Sequence, residues 1–148
     1  MIICFPVEIK KLIKLGRNYP WPKPKSCLRC KGCRIWGHGF VRACFDGFKQ
    51  AVEIKRCRCP DCNCIYRFRP EGYFNRFQAE IATIRLSIAV KTQGGKWIAG
   101  IGRTRQRHWF KALIRNIKAY LTDSWDQEVL GAFDELVKRE LIPVTRSI

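Results

Sequence analysis

Long apolar segments are missing from this chain of 148 residues. The longest apolar stretch runs from Ile81 to Val90 and contains Arg85, so it is too short to cross a bilayer. The first residues have no basic start, and Glu8 soon interrupts their apolar run, so they do not resemble a secretory leader. We therefore expect a protein without membrane association that resides in the cytoplasm.

Acidic residues are also scarce. Asp and Glu number 12 against 29 Lys and Arg, which gives a net charge of +17. Residues 1–121 hold 26 of the basic residues and only 6 of the acidic ones. A positive field of this size attracts polyanions, and phosphate backbones are the commonest of these inside cells. The chain has no HExxH string, phosphate loop or nucleophile–base pair, so we expect a nucleic-acid-binding protein and not an enzyme.

Cysteine, in contrast, is abundant. The nine cysteines are odd in number and cluster as CxxC pairs, a pattern that favours metal thiolates in a reducing compartment over a disulfide framework. Cys27 with Cys30 and Cys59 with Cys62 form two such pairs. Each pair can close a tight turn whose sulfurs converge on one cation, and two turns supply the four thiolates of a tetrahedral zinc site.

The ligand set has competitors. Cys33 forms a second CxxC with Cys30, while Cys57 and Cys64 bracket the second pair. His38 lies in a glycine-containing string and is interpreted as a turn residue. Iron is the chemical alternative to zinc, because four thiolates can hold either metal. The remaining two cysteines, Cys4 and Cys44, lie in apolar contexts that favour core positions.

Strand-like segments lie around the cysteine pairs. Residues 40–45 and 49–58 flank Asp46-Gly47, a dipeptide suited to a hairpin turn, and residues 65–69 can supply a third strand that ends at Pro70. Two CxxC turns joined by a hairpin predict a zinc ribbon. Before them, residues 6–15 are predicted to form a short amphipathic helix that Gly16 ends. The string Pro20-Trp21-Pro22 predicts an extended linker.

The second half of the chain has a helical period. Phe77, Ile81, Ile84 and Ile88 share one face of a predicted helix over residues 76–91, which Gly94-Gly95 ends. A single short helix is predicted over residues 96–101, and a long helix from about Thr104 to Leu121. Three helices with a very short middle one predict a helix-turn-helix.

The long helix is two-sided. An apolar stripe that includes Trp109, Leu113 and Ile117 suits packing, and basic residues lie on another side. Thr104 can cap the helix and reach a phosphate. The predicted DNA-contacting residues are Arg103, Thr104, Arg105, Arg107, Lys111, Arg115 and Lys118.

The tail has a different charge. Thr122 or Asp123 can cap an acidic amphipathic helix with Trp125, Val129 and Phe133 on one stripe. This helix is expected to pack on the helix at 76–91 or on that at 6–15, or to form a homodimer. The sequence thus predicts an α+β chain with four segments: an N-terminal helix (1–18), a small antiparallel β zinc ribbon (19–72), a three-helix helix-turn-helix (73–121) and an acidic C-terminal amphipathic helix (122–148).

Several strings resemble a known group. Tyr19-Pro20-Trp21-Pro22, the CxxC pairs, Trp36-Gly37-His38-Gly39-Phe40 and Arg58-Cys59-Pro60-Asp61-Cys62 resemble the N-terminal zinc-ribbon module of transposase-related bacterial and archaeal proteins. Arg105-Gln106-Arg107-His108-Trp109 is similar to a string in the helix-turn-helix that follows it. The resemblance covers residues 19–121 and favours Cys27 over Cys33 as the fourth ligand. Asn63 and Lys31 depart from it, because glycine is usual after each pair.

The resemblance implies a function. The expected activity is binding of double-stranded DNA, for transposon-end recognition or transcriptional regulation, with Zn²⁺ bound by Cys27, Cys30, Cys59 and Cys62. The sequence has no separated Asp/Asp/Glu set for an RNase H-like catalytic domain, so a separate transposase partner would supply any cleavage. The protein is expected to be nucleoid-associated. The alternatives are an RNA-binding or ribosome-associated zinc ribbon and a rubredoxin-type iron electron carrier.

Overall fold

The structure is a computed structural model that describes residues 1–121 and 128–145. The chain divides into two compact units, Met1–Gln78 and Ala79–Ile148. The predicted segments 1–18 and 19–72 both fall within the first unit, and the predicted segment 73–121 begins there. The class is α+β, as predicted, with strands in the first unit and three α-helices in the described part of the second.

The first unit contains a four-stranded sheet with strand order β1-β4-β3-β2. Strands β2 and β3 are antiparallel, as are β3 and β4, so the predicted hairpins are present. Asp46-Gly47 lies in the turn region between β2 and β3, where Gly47 has a φ of 82°. The elements are β1 (Ile2–Phe5), α1 (Ile9–Leu15), a 3-10 turn (Gly16–Asn18), β2 (Trp36–Ala43), β3 (Val52–Arg58) and β4 (Ile65–Pro70).

Strand β1 corrects the prediction of a wholly antiparallel ribbon. It pairs in parallel with β4, with Ile3 beside Phe68 and Phe5 beside Pro70. This pairing joins residues more than sixty positions apart, and β1 has only four residues. Local periodicity therefore contains no signal for it, because short apolar runs do not distinguish strand from helix.

An aromatic cluster forms much of the core on one face of this sheet. The Trp21 ring lies 5.3 Å from that of Phe5 and 5.7 Å from that of Phe68, measured between centroids. The segment around Trp21, predicted to be an extended linker, is therefore packed against the sheet, and the Trp21 backbone N–H donates to the carbonyl of Tyr19 at 2.8 Å in a tight turn. Helix α1 adds the buried side chains of Ile9 and Leu12.

The second unit contains α2 (Ile81–Gly94), α3 (Arg103–Tyr120) and α4 (Val129–Lys138). Helix α2 begins five residues later than the predicted residue 76. Arg76 has a φ of 66°, outside the range of a right-handed helix, so Phe77 precedes the helix and does not share its face. Gly95 ends α2 in the left-handed conformation, as predicted. Within the described ranges, no helix combines the length and apolar content needed to cross a membrane.

The predicted short helix over residues 96–101 is wrong. These residues form an irregular connection, and Gly100 has a φ of 81°. The buried amide of Gln106 holds the connection to α3: it donates to the carbonyls of Ile98 (2.9 Å) and Ile101 (2.8 Å) and accepts from the Ile98 N–H (3.1 Å). The predicted helix-turn-helix, with its short middle helix, is therefore not confirmed.

Helix α4 packs against α2 and α3. The contact with α2 is the predicted packing of the C-terminal helix on the helix at 76–91. Phe133 and Leu136 are buried, and Val129 is half-buried. Arg85 of α2 forms a two-pronged ion pair with Asp134 of α4, with distances of 2.8 and 2.6 Å. The predicted cap at Thr122 or Asp123, and the predicted place of Trp125 on the stripe, lie outside the described residues.

Candidate metal centre and basic helix

The two predicted CxxC turns have the same backbone geometry. The N–H of Cys27 donates to the carbonyl of Gly32 at 2.8 Å, and the N–H of Cys59 donates to the carbonyl of Cys64 at 2.9 Å. Each turn is thus closed by a hydrogen bond from its first cysteine to the residue five positions later. We call these the first knuckle (residues 27–32) and the second knuckle (residues 59–64).

The residue after each pair has the conformation that glycine adopts most easily. Lys31 has a φ of 62° and Asn63 a φ of 57°. An L-residue other than glycine pays a steric cost in this left-handed region, although asparagine tolerates it. Lys31 and Asn63 therefore adopt the left-handed backbone conformation that a glycine would have at these two positions.

The four predicted ligands lie together. The sulfurs of Cys27 and Cys62 are 3.6 Å apart, as are those of Cys30 and Cys59, and all four ligand atoms lie within 4.8 Å of one another. A tetrahedron with Zn–S bonds of about 2.3 Å has sulfurs separated by about 3.8 Å. The cluster therefore fits one four-coordinate metal ion with only small movements. Zinc and iron both accept this set of four thiolates.

The competing cysteines lie outside this cluster. Among the described residues, no other group of cysteine, histidine or carboxylate side chains is gathered for a metal. The gathered group contains Cys27 and not Cys33, which supports the choice of Cys27. Cys57 is buried in β3, and burial raises its pKa. His38 lies within β2, at the β-bulge between Gly37 and Phe40, instead of in a turn.

Two further cysteine predictions are corrected. Cys4 and Cys44 are exposed and do not belong to the core. Their apolar neighbours in sequence, such as Phe5 and Phe45, are buried. Cys4 lies in β1, where successive side chains point to opposite faces of the sheet, so the burial of Phe5 leaves Cys4 outside the core.

Hydrogen bonds to the sulfurs favour their ionised form unequally. Burial opposes ionisation of Cys27, but the N–H groups of Cys30 and Arg29 and the hydroxyl of Tyr66 outweigh it and lower its pKa to about 6. The N–H of Cys64 favours ionisation of Cys62, but burial and the neighbouring sulfurs prevail and raise its pKa to about 12. Thiolates crowded in this way repel one another, and a divalent cation removes that repulsion.

Tyr66 is a contact that the sequence did not indicate. Its hydroxyl lies 2.6 Å from the Cys27 sulfur, and the tyrosine side chain is buried in β4. Burial raises the pKa of Tyr66. A cysteine that binds a metal is a thiolate without a proton, so in the metal centre the hydroxyl is the donor and the Cys27 sulfur the acceptor. A donor of this kind orients a metal ligand and tunes its basicity.

A second missed contact joins the two knuckles. Asp61 of the second knuckle forms an ion pair with Arg34, just beyond the first. Asp61 also approaches Gly32 closely: a Cβ placed on Gly32 would lie 2.5 Å from the Asp61 carboxylate oxygen. A residue with a Cβ at position 32 would therefore require the Asp61 carboxylate to move.

The basic face of α3 is the other predicted site, and it lies in the second unit. Arg103, Arg107, Lys111, Arg115 and Lys118 are exposed and fall within about 120° of arc around the helix. On another side, Trp109 and Leu113 are buried, with 4% and 0% of their surfaces exposed. The separation of basic and apolar faces is as predicted, except that Ile117 is half-buried.

Two predicted contact residues differ from the rest. Arg105 is half-buried, and its guanidinium lies 5.0 Å from the centre of the Trp109 ring, away from the basic face. Thr104 is exposed but does not cap the helix, because Gly102 occupies the N-cap position and no side-chain cap bond forms there. The α3 basic face is therefore defined here as Arg103, Arg107, Lys111, Arg115 and Lys118.

Charge compensation on this face is slight. Across residues 1–121 and 128–145, no carboxylate lies within ion-pair distance of any of these five cations. Arg115 makes one long hydrogen bond, 3.4 Å, to the carbonyl of Thr145.

Comparisons of the chain with protein-family models, with curated proteins and with solved structures return no match.

Proposed function

We propose that this chain binds double-stranded DNA through the α3 basic face. The observation that carries the proposal is the group of five exposed cations on one side of α3, without carboxylate partners among the described residues. Exposed cations at this spacing suit the phosphates that border a groove of duplex DNA, and an α-helix fits the major groove. The net charge of +17 supplies long-range attraction for the same ligand.

The proposed biological setting is transposon-end recognition or transcriptional regulation. The basis is the resemblance of the ribbon strings to transposase-related proteins, with any DNA cleavage left to a partner. A bend between α2 and α3 held by Gln106 replaces the short middle helix that the sequence suggested. We therefore assign groove binding to α3 alone.

The metal centre has a structural role in this proposal. Cys27, Cys30, Cys59 and Cys62 would hold one Zn²⁺, which supplies cross-linking of the two knuckles and no chemistry on a substrate. Tetrathiolate coordination has no open position for a water or substrate. The strong positive charge of the chain favours this role over electron transfer, for which a charge of +17 offers no advantage.

Metal content tests the zinc assignment. Protein purified without added metal should contain one zinc per chain by elemental analysis. Cys27→Ser should lose most of it, whereas Cys33→Ser, an exposed cysteine outside the cluster, should keep it. A coloured, iron-loaded protein would contradict the assignment to zinc. Equal metal contents of the two variants would contradict the ligand set.

Duplex binding tests the function itself. Arg107→Ala/Lys111→Ala removes two cations of the α3 basic face that have no structural hydrogen bond, so the helix should remain folded. Affinity for duplex DNA should fall, and the slope of log affinity against log salt should decrease by about two if each cation contacts one phosphate. Lys96→Ala/Lys138→Ala removes the same charge from exposed positions elsewhere in the unit and should leave the slope unchanged. The same slope in both double variants would contradict the proposal.

A further inference from the structure

One face of the sheet in the first unit carries an exposed tryptophan beside an arginine. Trp36 of β2 is the direct partner of Arg58 in β3, and Arg58 is the direct partner of Ile65 in β4. Direct partners on neighbouring strands have their side chains on the same face of a sheet. These three residues therefore form one row across three strands.

A second row runs next to the first. Arg56 is two residues from Arg58 in β3, so its side chain lies on the same face, and its direct partner in β4 is Arg67. In β2 the bulge lies opposite Arg56: a Cβ placed on Gly39 would be 3.9 Å from the Arg56 Nη2 atom. We call Trp36, Arg56, Arg58 and Arg67 the ribbon face.

The two facing arginines lack acceptors. The Nε atoms of Arg56 and Arg67 are buried and have no hydrogen-bond partner. Within the described ranges, no carboxylate forms an ion pair with any arginine of the ribbon face. Like charges directly opposite each other in a sheet are destabilising, and a buried N–H without an acceptor adds to the cost. An anion that bridges the two guanidinium groups would offset the repulsion between their charges.

Trp36 is unusually exposed for its size. It has 59% of its surface exposed, more than any other large apolar side chain in the described residues. Ile65, in the same row, is 42% exposed. An exposed indole next to guanidinium groups presents a flat apolar surface and positive charge at the same place. A nucleic-acid base and its phosphate have the complementary chemistry.

We propose that the ribbon face binds single-stranded nucleic acid. Trp36 stacks on one base, and Arg56, Arg58 and Arg67 contact the adjoining phosphates. A duplex cannot use this surface in the same way, because its bases are already stacked on one another and do not present their flat faces. The proposal goes beyond duplex binding by α3 and does not depend on it.

The test uses the full-length protein and three fluorescein-labelled probes: a 12-nucleotide oligothymidylate, the matching oligouridylate and a 12-base-pair duplex. Fluorescence anisotropy gives the affinity for each. Trp36→Ala should weaken binding of the single strands by about 5- to 150-fold, the range expected for loss of one stacked base. Trp36→Phe keeps an aromatic ring and should recover most of that affinity. Leu86→Ala, at another exposed large apolar residue, should bind as the wild type does.

The charge contribution is tested separately. Arg56→Gln/Arg67→Gln should lower the salt dependence of single-strand binding by about 1.4 slope units, if each arginine contacts one phosphate. Its matched control is Lys10→Gln/Lys14→Gln, which removes two exposed cations from α1. Arg17, just after the end of α1, contacts Glu53 and the Phe40 ring. Both of these residues lie on the face of the sheet opposite the ribbon face. The control should leave the slope unchanged.

The outcomes separate the two binding sites. A single-strand affinity of Trp36→Ala equal to that of the wild type overturns the proposal, as does an equal loss in Trp36→Phe. An equal loss of duplex and single-strand affinity in Trp36→Ala also overturns it, because the face would then belong to the duplex site. Tighter binding of oligouridylate assigns RNA as the natural ligand, and tighter binding of oligothymidylate assigns DNA. Duplex binding of Arg107→Ala/Lys111→Ala, measured alongside, reports on α3 independently.

Discussion

The Tyr66 hydroxyl donates a hydrogen bond of 2.6 Å to the Cys27 sulfur and so connects the first knuckle to strand β4. Tyr66 also lies opposite Cys57 in the β3–β4 pair, so the position of its ring is set by the sheet. The sheet thus fixes one ligand of the metal centre directly, and the other three follow from the backbone geometry of the two knuckles.

Tyr66→Phe should weaken metal binding while preserving the fold. The ring remains, but the donor that favours the Cys27 thiolate is lost. Removal of such a partner typically costs about 10- to 100-fold in metal affinity. Competition with a chromogenic chelator measures the change. Tyr19→Phe is the control, because that ring packs against Phe5 and Trp21, away from the sulfurs. Equal affinities of the two variants would show that the hydroxyl does not tune the site.

Glycine should stabilise the first knuckle. Lys31 adopts a φ of 62°, which costs a residue with a Cβ about 1 kcal/mol relative to glycine. Lys31→Gly should therefore raise the midpoint of thermal unfolding of the first unit by several degrees. Asn63→Gly should have a smaller effect, because asparagine tolerates this conformation and glycine would lose the hydrogen bond that the Asn63 side chain accepts from Arg58. Lys25→Gly, at an exposed position without a positive φ, should give no stabilisation. A destabilised Lys31→Gly would show that the lysine makes a favourable interaction there.

Gln106 should be important for the second unit. Its amide forms three hydrogen bonds with the connection between α2 and α3 and accepts one more from the Ser87 hydroxyl at 2.6 Å. Gln106→Ala leaves several buried groups unpaired, so the free energy of unfolding should fall by about 2–3 kcal/mol. Chemical denaturation measures it. Gln93→Ala, an exposed glutamine in α2, should change it by less than about 0.5 kcal/mol.

The contribution of Asp134 to stability should depend on pH. The hydrogen bond from Arg85 lowers the Asp134 pKa below its ordinary value of 3.8. The carboxylate therefore stabilises the folded unit at pH values above 3.8, and this contribution is lost as the pH falls through the lowered pKa. Asp134→Asn should cost about 0.5 kcal/mol at pH 7, since the pair is half exposed. Its stability should match that of the wild type at pH 2. A constant difference across this range would point to a packing effect.

The metal centre could be predicted from the sequence because its signals are local. CxxC spacing predicts a knuckle, and the hairpin predicted between the two pairs brings the two knuckles together. The side chains that contact the two knuckles could not be predicted from the sequence. Tyr66 and Arg34 reach the site only through strand pairing and loop placement, and neither side chain has a distinctive motif.

Non-local pairing explains the larger errors. Strand β1 has four residues and pairs in parallel with β4, so no periodicity revealed it. The segment 96–101 has a helix-compatible composition, but the hydrogen bonds of Gln106 satisfy its backbone in an irregular conformation. The sequence also predicts both Arg105 and Arg107 as DNA contacts. In the structure Arg107 is exposed on the α3 basic face, whereas Arg105 lies over the Trp109 ring.

Lysine footprinting on the complex with duplex DNA tests the central claim most directly. The full-length protein is treated with an acetylating reagent, with and without duplex, and modification of each lysine is quantified by mass spectrometry. We predict that duplex DNA protects Lys111 and Lys118 of the α3 basic face, because phosphates cover them. Lys10 and Lys14 of α1, equally exposed, should react as they do in the free protein. Equal modification of Lys111 and Lys118 with and without bound duplex would contradict DNA binding by α3.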